Sequence, residues 1–421
     1  MNIFSHQLFR KVLVVASGTA GAQLIAFLFV PIITRIYGPE VYGEFGTFLS
    51  VINVILPAVT LGYSSAIVLP RTLREASSVI HLSLMVAFIL SVVCYVIIAI
   101  SKSFFNFTNL ENKVIYEYAL LLPLFVLFSG VHEIGNAILQ RMDKFNKIAQ
   151  STFGHALVNY GGQTLIGWIY SYTITLAFIH VFSVGLKSVF IIYATKFKLR
   201  SKPNFQRVKF VSYKYRDFAL FRTPQLILNA FSQSAPVLIL AFYFNSKVVG
   251  FYALARFALA IPISLLGKSV VSVFYPHFNK LYLSGKPSFS LLKRSTVNLA
   301  LIGLVPFGIV FGWGGELFSI VFGSEWGEAG VFASYLSLWL FFALVNLPAV
   351  SIIPVLRHQK WYLGYELMCL LLKVATLILS IIHYNDPLIA ILFFSIIGII
   401  TNSFLILNIH MKTKEHDKVL N

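Results

Sequence analysis

Apolar residues run along this chain in about twelve stretches, separated by short polar loops. The stretches cover residues 12–36, 43–69, 79–101, 115–140, 148–170, 173–195, 218–243, 249–275, 295–323, 329–353, 361–383 and 387–409. Each is long enough to cross a bilayer. Hydrocarbon offers the backbone no partners, so such runs fold as helices. The alternation of period two that marks a membrane barrel is absent. The pattern therefore predicts an all-α, polytopic membrane protein. The ninth stretch carries Gly308, Gly312, Gly314 and Gly315 and is expected to break or tilt. The run from Val12 to about Ile36 is too long for the core of a signal peptide, so a retained first helix is expected.

The loops supply orientation. Of the 33 Lys and Arg, 24 fall in every second loop and the terminal segments, 4 (Arg35, Lys102, Lys113 and Lys247) fall on the opposite side, and 5 lie within spans. By the positive-inside rule both termini are cytoplasmic. The longest connection, TKFKLRSKPNFQRVKFVSYKYRD, carries eight of these basic residues. Insertion topology thus accounts for a net charge of +18, and nucleic acid is not expected as a partner. Only 11% of residues are charged and mean hydropathy is +0.81, against roughly a quarter charged in soluble domains. Cys94 and Cys369 lie in spans and form no disulfide or metal spacing.

The basic loop divides the chain into residues 1–205 and 206–421, six spans on each side. Val41-Tyr42-Gly43-Glu44-Phe45 lies over Val248-Val249-Gly250-Phe251-Tyr252 at an offset of 207. Leu139-Gln140-Arg141 and Lys144-Phe145 echo Leu356-Arg357 and Lys360-Trp361 at offsets of 216 to 217. An even number of spans per half inserts both copies the same way. Two six-helix lobes related by a parallel pseudo-two-fold repeat are expected, with a substrate path between them.

Pro31 to Phe45 carries the pattern P-x-x-T-R-x-x-G-P-E-x-Y-G-E-F, with Thr34, Arg35, Gly38, Pro39, Glu40, Tyr42, Gly43 and Glu44 at its fixed positions. With twelve spans and a basic central loop, it resembles the polysaccharide-export flippases. These are the O-antigen (Wzx-type) lipid-linked oligosaccharide flippases of the multidrug/oligosaccharidyl-lipid/polysaccharide exporter superfamily. The resemblance implies a bacterial inner-membrane transporter, not an enzyme. Its cargo would be a polyprenyl-pyrophosphate-linked oligosaccharide, moved by alternating access. Other polysaccharide-assembly proteins would be partners, with no cofactor beyond coupling to H+ or Na+.

Ionisable groups within spans cost about 2.5–3.5 kcal/mol each at mid-helix and usually face a wet interior. Lys373 lies about twelve residues into its span, ~18 Å deep and near the midplane. Arg256, Lys187 and Lys268 lie nearer the ends of theirs, and Arg35 sits at the outer end of the first. Arg222 and Glu366 occupy first turns, where a solvated interface charge is the simpler reading. Glu133, beside His132, either pairs with an intramembrane cation or titrates and couples ion movement to transport. For His132 a hydrogen-bonded core histidine is the commoner role than a proton relay.

Polar residues at helical spacing add two stripes. Gly46, Ser50, Asn53, Pro57, Thr60 and Ser64 form one, and Arg222, Gln225, Asn229, Ser232, Gln233 and Pro236 the other. Small polar residues serve equally as glue between helices. The large amides Gln225, Asn229 and Gln233 suit a water-filled path better. Pro31, Pro57, Pro236 and Pro262 interrupt spans, as hinges or simple bends.

Five intramembrane cations against three acids (Glu117, Glu133 and Glu366) favour an anionic cargo. A cation-coupled drug exporter would want acidic groups instead. A polymerase or ligase would want a large outer loop, which is missing, and no H-E-x-x-H, G-x-S-x-G or Walker A motif is present. A structural subunit without transport is the remaining alternative. The topology is tested by replacing Phe205 with Cys and labelling intact cells. Reaction is expected only after the cytoplasm is opened to the reagent, and labelling from outside overturns the orientation.

Overall fold

The computed structural model describes residues 2–104, 118–195 and 204–420, and these residues form helices joined by turns. Most of the longest outer loop, including Glu111 and Lys113, the start of the fourth span with Glu117, and residues 196–203 of the basic loop lie outside the described residues. By packing the chain forms two units, Met1–Leu238 and Ile239–Asn421.

The first unit opens with α1, Asn2–Ile55, whose 54 residues are helical apart from Gly38 (φ 68°, ψ 172°). That conformation is essentially open to glycine alone. Pro39 also denies its predecessor a helical ψ. At 1.5 Å per residue α1 would be ~80 Å long, more than twice the hydrocarbon thickness, so it comprises two spans meeting at Gly38. The Gly-Pro of the sequence motif is therefore the turn between spans one and two.

The second span is shorter than its hydropathy predicts. A single helix over 43–69 is expected, but α1 ends at Ile55, followed by a tight turn at Leu56–Ala58 and the short α2, Tyr63–Ala66. Pro57 opens the break, and Leu61 (φ 46°) and Gly62 (φ 70°) complete it. Pro31, Pro236 and Pro262 sit inside continuous helices, so of the four prolines only Pro57 stands at an interruption.

The unit continues with α3 (Leu73–Phe104), α4 (Leu122–Arg141), α5 (Phe145–Gly167), α6 (Thr173–Thr195) and α7 (Phe205–Lys214). A π-helical turn, Phe218–Arg222, leads into α8, Thr223–Tyr243, inside which the two units divide. α4 packs on α3 and α6, and α5 packs on α1 and α6. Ile33, Tyr37, Phe45, Phe48, Leu122, Phe125, Leu176 and Val181 form one core among them. Tyr37 donates to the Gln163 carbonyl (2.9 Å), which ties α1 to α5.

Among the described residues ten helical stretches are long and apolar enough to span a membrane, the first covering residues 17–58. The second span within that run and the more polar α5, which carries Asn159 and Gln163, account for the twelve expected.

The second unit contains α9 (Ser246–Ser269), a π-helical turn at Val270–Phe274, α10 (Tyr275–Leu283), α11 (Phe289–Phe322), α12 (Gly327–Val345), α13 (Leu347–Ile352), α14 (Gln359–Tyr384) and α15 (Pro387–Leu420). The glycine-rich ninth span does break: Trp313 leaves helical geometry (φ −126°, ψ 23°) within α11. Side-chain carboxylates and amides hold the helix starts. Asn245 accepts from the Val248 amide (3.1 Å), and Asp386 accepts from the Leu388 amide (2.7 Å). Buried Asp417, near the end of α15, accepts from the Ser288 and Phe289 amides (both 2.8 Å) and so caps α11 from a distant helix.

Lipid tails are as apolar as leucine, so membrane helices associate through close van der Waals contact. α11 and α12 meet backbone to backbone: a Cβ on Gly330 would stand 2.1 Å from the Gly314 carbonyl oxygen. Gly330→Ala is expected to destabilise the protein by about 1–3 kcal/mol through overpacking. Gly308→Ala, on the same α11 but with nothing within 4 Å of its Cβ, is expected to leave stability unchanged or slightly raised. Thermal unfolding of the two variants in one detergent checks this.

Candidate functional site

In the second unit four helices bring two of the expected cations onto one ring. Lys373 of α14 places Nζ 4.6 Å from the centroid of Trp339 on α12, and Arg256 of α9 places Cζ 5.7 Å from the same ring. Phe394 of α15 meets Trp339 edge to face (5.0 Å) and lies 6.0 Å from Lys373 Nζ. Gly398 makes room for the indole, since a Cβ there would stand 2.3 Å from it. The Arg256 guanidinium also reaches the Tyr252 hydroxyl at 3.5 Å.

Among the described residues no carboxylate bridges Lys373. Its charged or ionisable neighbours are Cys369 and Arg256, while Glu366, two turns earlier on α14, turns to Tyr362. A desolvated cation–π contact contributes about 2 kcal/mol or more. The insertion cost is about 2.5–3.5 kcal/mol. The ring therefore offsets much of that cost without cancelling the positive charge. The result is a pair of cations backed by aromatic rings, with no carboxylate bridging Lys373 among the described residues, and its chemistry suits an anion.

The first unit carries a separate polar cluster. The break after α1 brings Thr60 and Ser64 onto Glu133 of α4, their hydroxyls 2.9 and 3.2 Å from its Oε2. Glu133 thus has hydroxyl donors where an ion pair is one of the two expectations. Beside it, His132 Nε2 accepts from Asn136 (3.0 Å). Lys187 of α6 acts electrostatically on His132, His155 and His180. His180 donates from Nδ1 to Asn159 Oδ1 (3.2 Å), and the Ser183 hydroxyl lies 3.1 Å from His155 Nε2. Among the described residues Glu133 is thus a carboxylate held by hydroxyls, and the imidazoles with Lys187 form a second polar group in the same unit; a carboxylate so held is chemically able to take up a cation or a proton.

The remaining expected residues are not gathered. Arg35 is exposed three residues before the Gly38 turn, and Asn53 is exposed near the end of α1. Arg222 is exposed, with its guanidinium 5.8 Å from the Phe218 ring. Gln225, Asn229 and Gln233 are all exposed along α8. The side chain of Lys268 lies outside the described residues. Sequence reasoning missed Trp339 and Phe394, which carry no charge to single them out. It also missed His155 and His180. The low hydropathy of α5 was the one available signal for His155.

The described residues thus form an all-helical bundle of membrane spans with charges buried inside its units. The chain belongs to the polysaccharide biosynthesis protein family, whose model matches residues 32–330. It is 23% identical over 364 residues to the capsular polysaccharide biosynthesis protein CapF of Staphylococcus aureus, covering 83% of this chain and 86% of CapF. Its fold is similar to an inward-facing multidrug resistance MATE family transporter of the MOP superfamily, with TM-score 0.73 and 17% identity over 93% of this chain and 95% of that one. It is equally similar to the lipid II flippase MurJ in an inward closed conformation, with TM-score 0.73 and 16% identity over 97% and 91%. The resemblance read from Pro31 to Phe45 and the all-α polytopic fold are both borne out.

Proposed function

We propose that the protein is a flippase for a polyprenyl-pyrophosphate-linked oligosaccharide, carrying a surface-polysaccharide repeat unit from the cytoplasmic to the outer leaflet of the bacterial inner membrane. The observation that carries this reading is the pair Lys373 and Arg256 over Trp339 with no carboxylate bridging Lys373. A diphosphate is the part of such a cargo that pays most to leave water, and two retained positive charges lower that barrier. Membership of a polysaccharide biosynthesis family supports the glycan half of the cargo, and the capsular relative makes a capsular unit as good a candidate as an O-antigen unit. The fold likeness to a lipid II flippase supports the lipid half. A drug exporter of the same fold is the second reading. The sign of the Lys373–Arg256 pocket disfavours it, because most such drugs would meet like charge.

On this reading two six-helix lobes alternate access to a path between them, with both termini cytoplasmic. Lys373 and Arg256 receive the phosphates. Lys187, Lys268, Arg35 and Arg222 add to the positive field, and Asn53, Gln225, Asn229 and Gln233 offer hydrogen bonds to sugar hydroxyls. Glu133, with His132 beside it, couples H+ or Na+ movement to transport. Other polysaccharide-assembly enzymes supply and consume the cargo.

Two experiments test this. Lys373→Ala is expected to cut export roughly ten- to hundredfold, the equivalent of one charge-assisted hydrogen bond of about 1.5–3 kcal/mol. Lys373→Arg should retain much of it. The readout is accumulation of lipid-linked oligosaccharide inside cells lacking the native gene, at equal amounts of inserted protein, and normal export by Lys373→Ala removes this residue from the site. Glu133→Gln keeps the Thr60 and Ser64 hydroxyls supplied with an acceptor and removes the charge. It should abolish the response of transport to an imposed pH or sodium gradient in proteoliposomes, and an unchanged response leaves Glu133 a structural role.

A further inference from the structure

The connection between α6 and α8 contains a helix, α7, with one face built into the first unit and the opposite face left bare. Asn204 caps its start by accepting from the Arg207 amide (3.3 Å). Val208, Val211 and the adjoining Tyr215 are buried against Tyr63, Ala66, Val79 and Ile80 of α2 and α3. Three polar ties fix its rotation. Lys214 bridges Glu75 at 2.5 Å, Tyr215 donates to the same carboxylate at 2.9 Å, and Tyr63 donates to the Ser212 carbonyl at 3.3 Å.

At about 100° per residue, this anchoring turns Lys209, Phe210 and Tyr213 the other way, while Phe205, three residues before Val208, stands exposed on the flank at the start of the helix. Phe205 is 76% exposed, Phe210 62% and Tyr213 69%. No acidic residue occurs from Asn204 to Arg216, which include Arg207, Lys209, Lys214 and Arg216. Arg216 stacks on Tyr213, its Cζ 4.4 Å from the ring centroid.

Position and composition agree on what meets this face. α7 lies between two membrane-spanning helices and is followed within a few residues by the π-helical turn into α8, so it is held at the bilayer edge. Two large bare rings on the outward face, with a third on its flank, make an exposed apolar patch of the kind that marks a contact with a membrane or a protein. Aromatic rings settle at headgroup depth, and juxtamembrane Lys and Arg are drawn to anionic lipid. A ten-residue helix is only ~15 Å long. Its bare face is far smaller than the roughly 800 Å² per partner that a stable protein interface needs.

We propose that the outward face of α7 binds the headgroups of anionic phospholipids in the leaflet it adjoins. The rings of Phe205, Phe210 and Tyr213 sit at the acyl boundary, and Arg207, Lys209 and Arg216 meet the phosphates. Lys214 is not needed for this, because Glu75 already holds it.

The test uses the full chain with Cys94 and Cys369 replaced by Ala and Phe210→Cys carrying a nitroxide, in nanodiscs of phosphatidylcholine with and without phosphatidylglycerol. Added phosphatidylglycerol should make the label more accessible to oxygen than to a water-soluble nickel chelate. Lys209→Gln should raise the phosphatidylglycerol fraction needed for half of that change about fivefold, the effect of one surface charge. A second measurement needs no label. Phosphatidylglycerol should raise the unfolding temperature of the native chain in a salt-sensitive way, and Arg207→Gln/Lys209→Gln/Arg216→Gln should lose that response. A label equally open to the chelate in both membranes overturns the proposal, as does an undiminished response in the triple variant. Immobilisation of the label only when other membrane proteins are added overturns it too, in favour of a protein partner.

Discussion

Charge inside hydrocarbon must be answered locally, and the answers used here are rings and hydroxyls more than opposite charges. Lys373 and Arg256 lean on Trp339, and Glu133 leans on Thr60 and Ser64. A full ion pair would have stabilised each group and left nothing for a ligand to complete. A cation–π contact or a pair of hydroxyl donors leaves most of the field intact. The Lys214–Glu75 bridge, by contrast, lies at the edge of the helices, where it fixes the rotation of α7 and has no field to preserve. The two kinds of charge are thus handled by opposite rules.

That arrangement depends on helix contacts tight enough to keep rings and charges in register. Gly398 lets Trp339 lie against α15, and the Gly314–Gly330 contact fixes α11 on α12, the helix that carries Trp339. In the first unit Gly135 leaves space for Ile191, which joins α4 to α6, the two helices bearing Glu133 and Lys187. Small residues here set side-chain positions several turns away.

Hydropathy and charge made the span pattern legible, because long apolar runs admit one backbone solution in a membrane. The Gly38 turn was equally plain, since Gly-Pro constrains both sides of one residue. The break after Ile55 was not: a lone Pro57 is as compatible with a gentle bend, and the positive φ at Leu61 has no sequence signature. One continuous helical stripe through Thr60 and Ser64 is therefore not what forms, and their convergence on Glu133 emerges only from the fold. Lys373 and Arg256 stood out because a buried charge is rare. Trp339 did not, because an aromatic in an apolar span looks like any other core residue. That Lys187 acts on imidazoles of α4 and α5 as well as on His180, two turns earlier on its own helix, is a tertiary fact for the first two.

Asp417 closes the second unit in an order that synthesis cannot hurry. The amides of Ser288 and Phe289 emerge first, and the carboxylate that receives them follows 129 residues later in the case of Ser288. At ordinary translation speeds that interval is roughly 6–26 s. During it α11 has two open donors at its start and no partner to hold it to α15. The first unit is finished by then, whereas the second reaches its final form only as the end of the last helix leaves the ribosome.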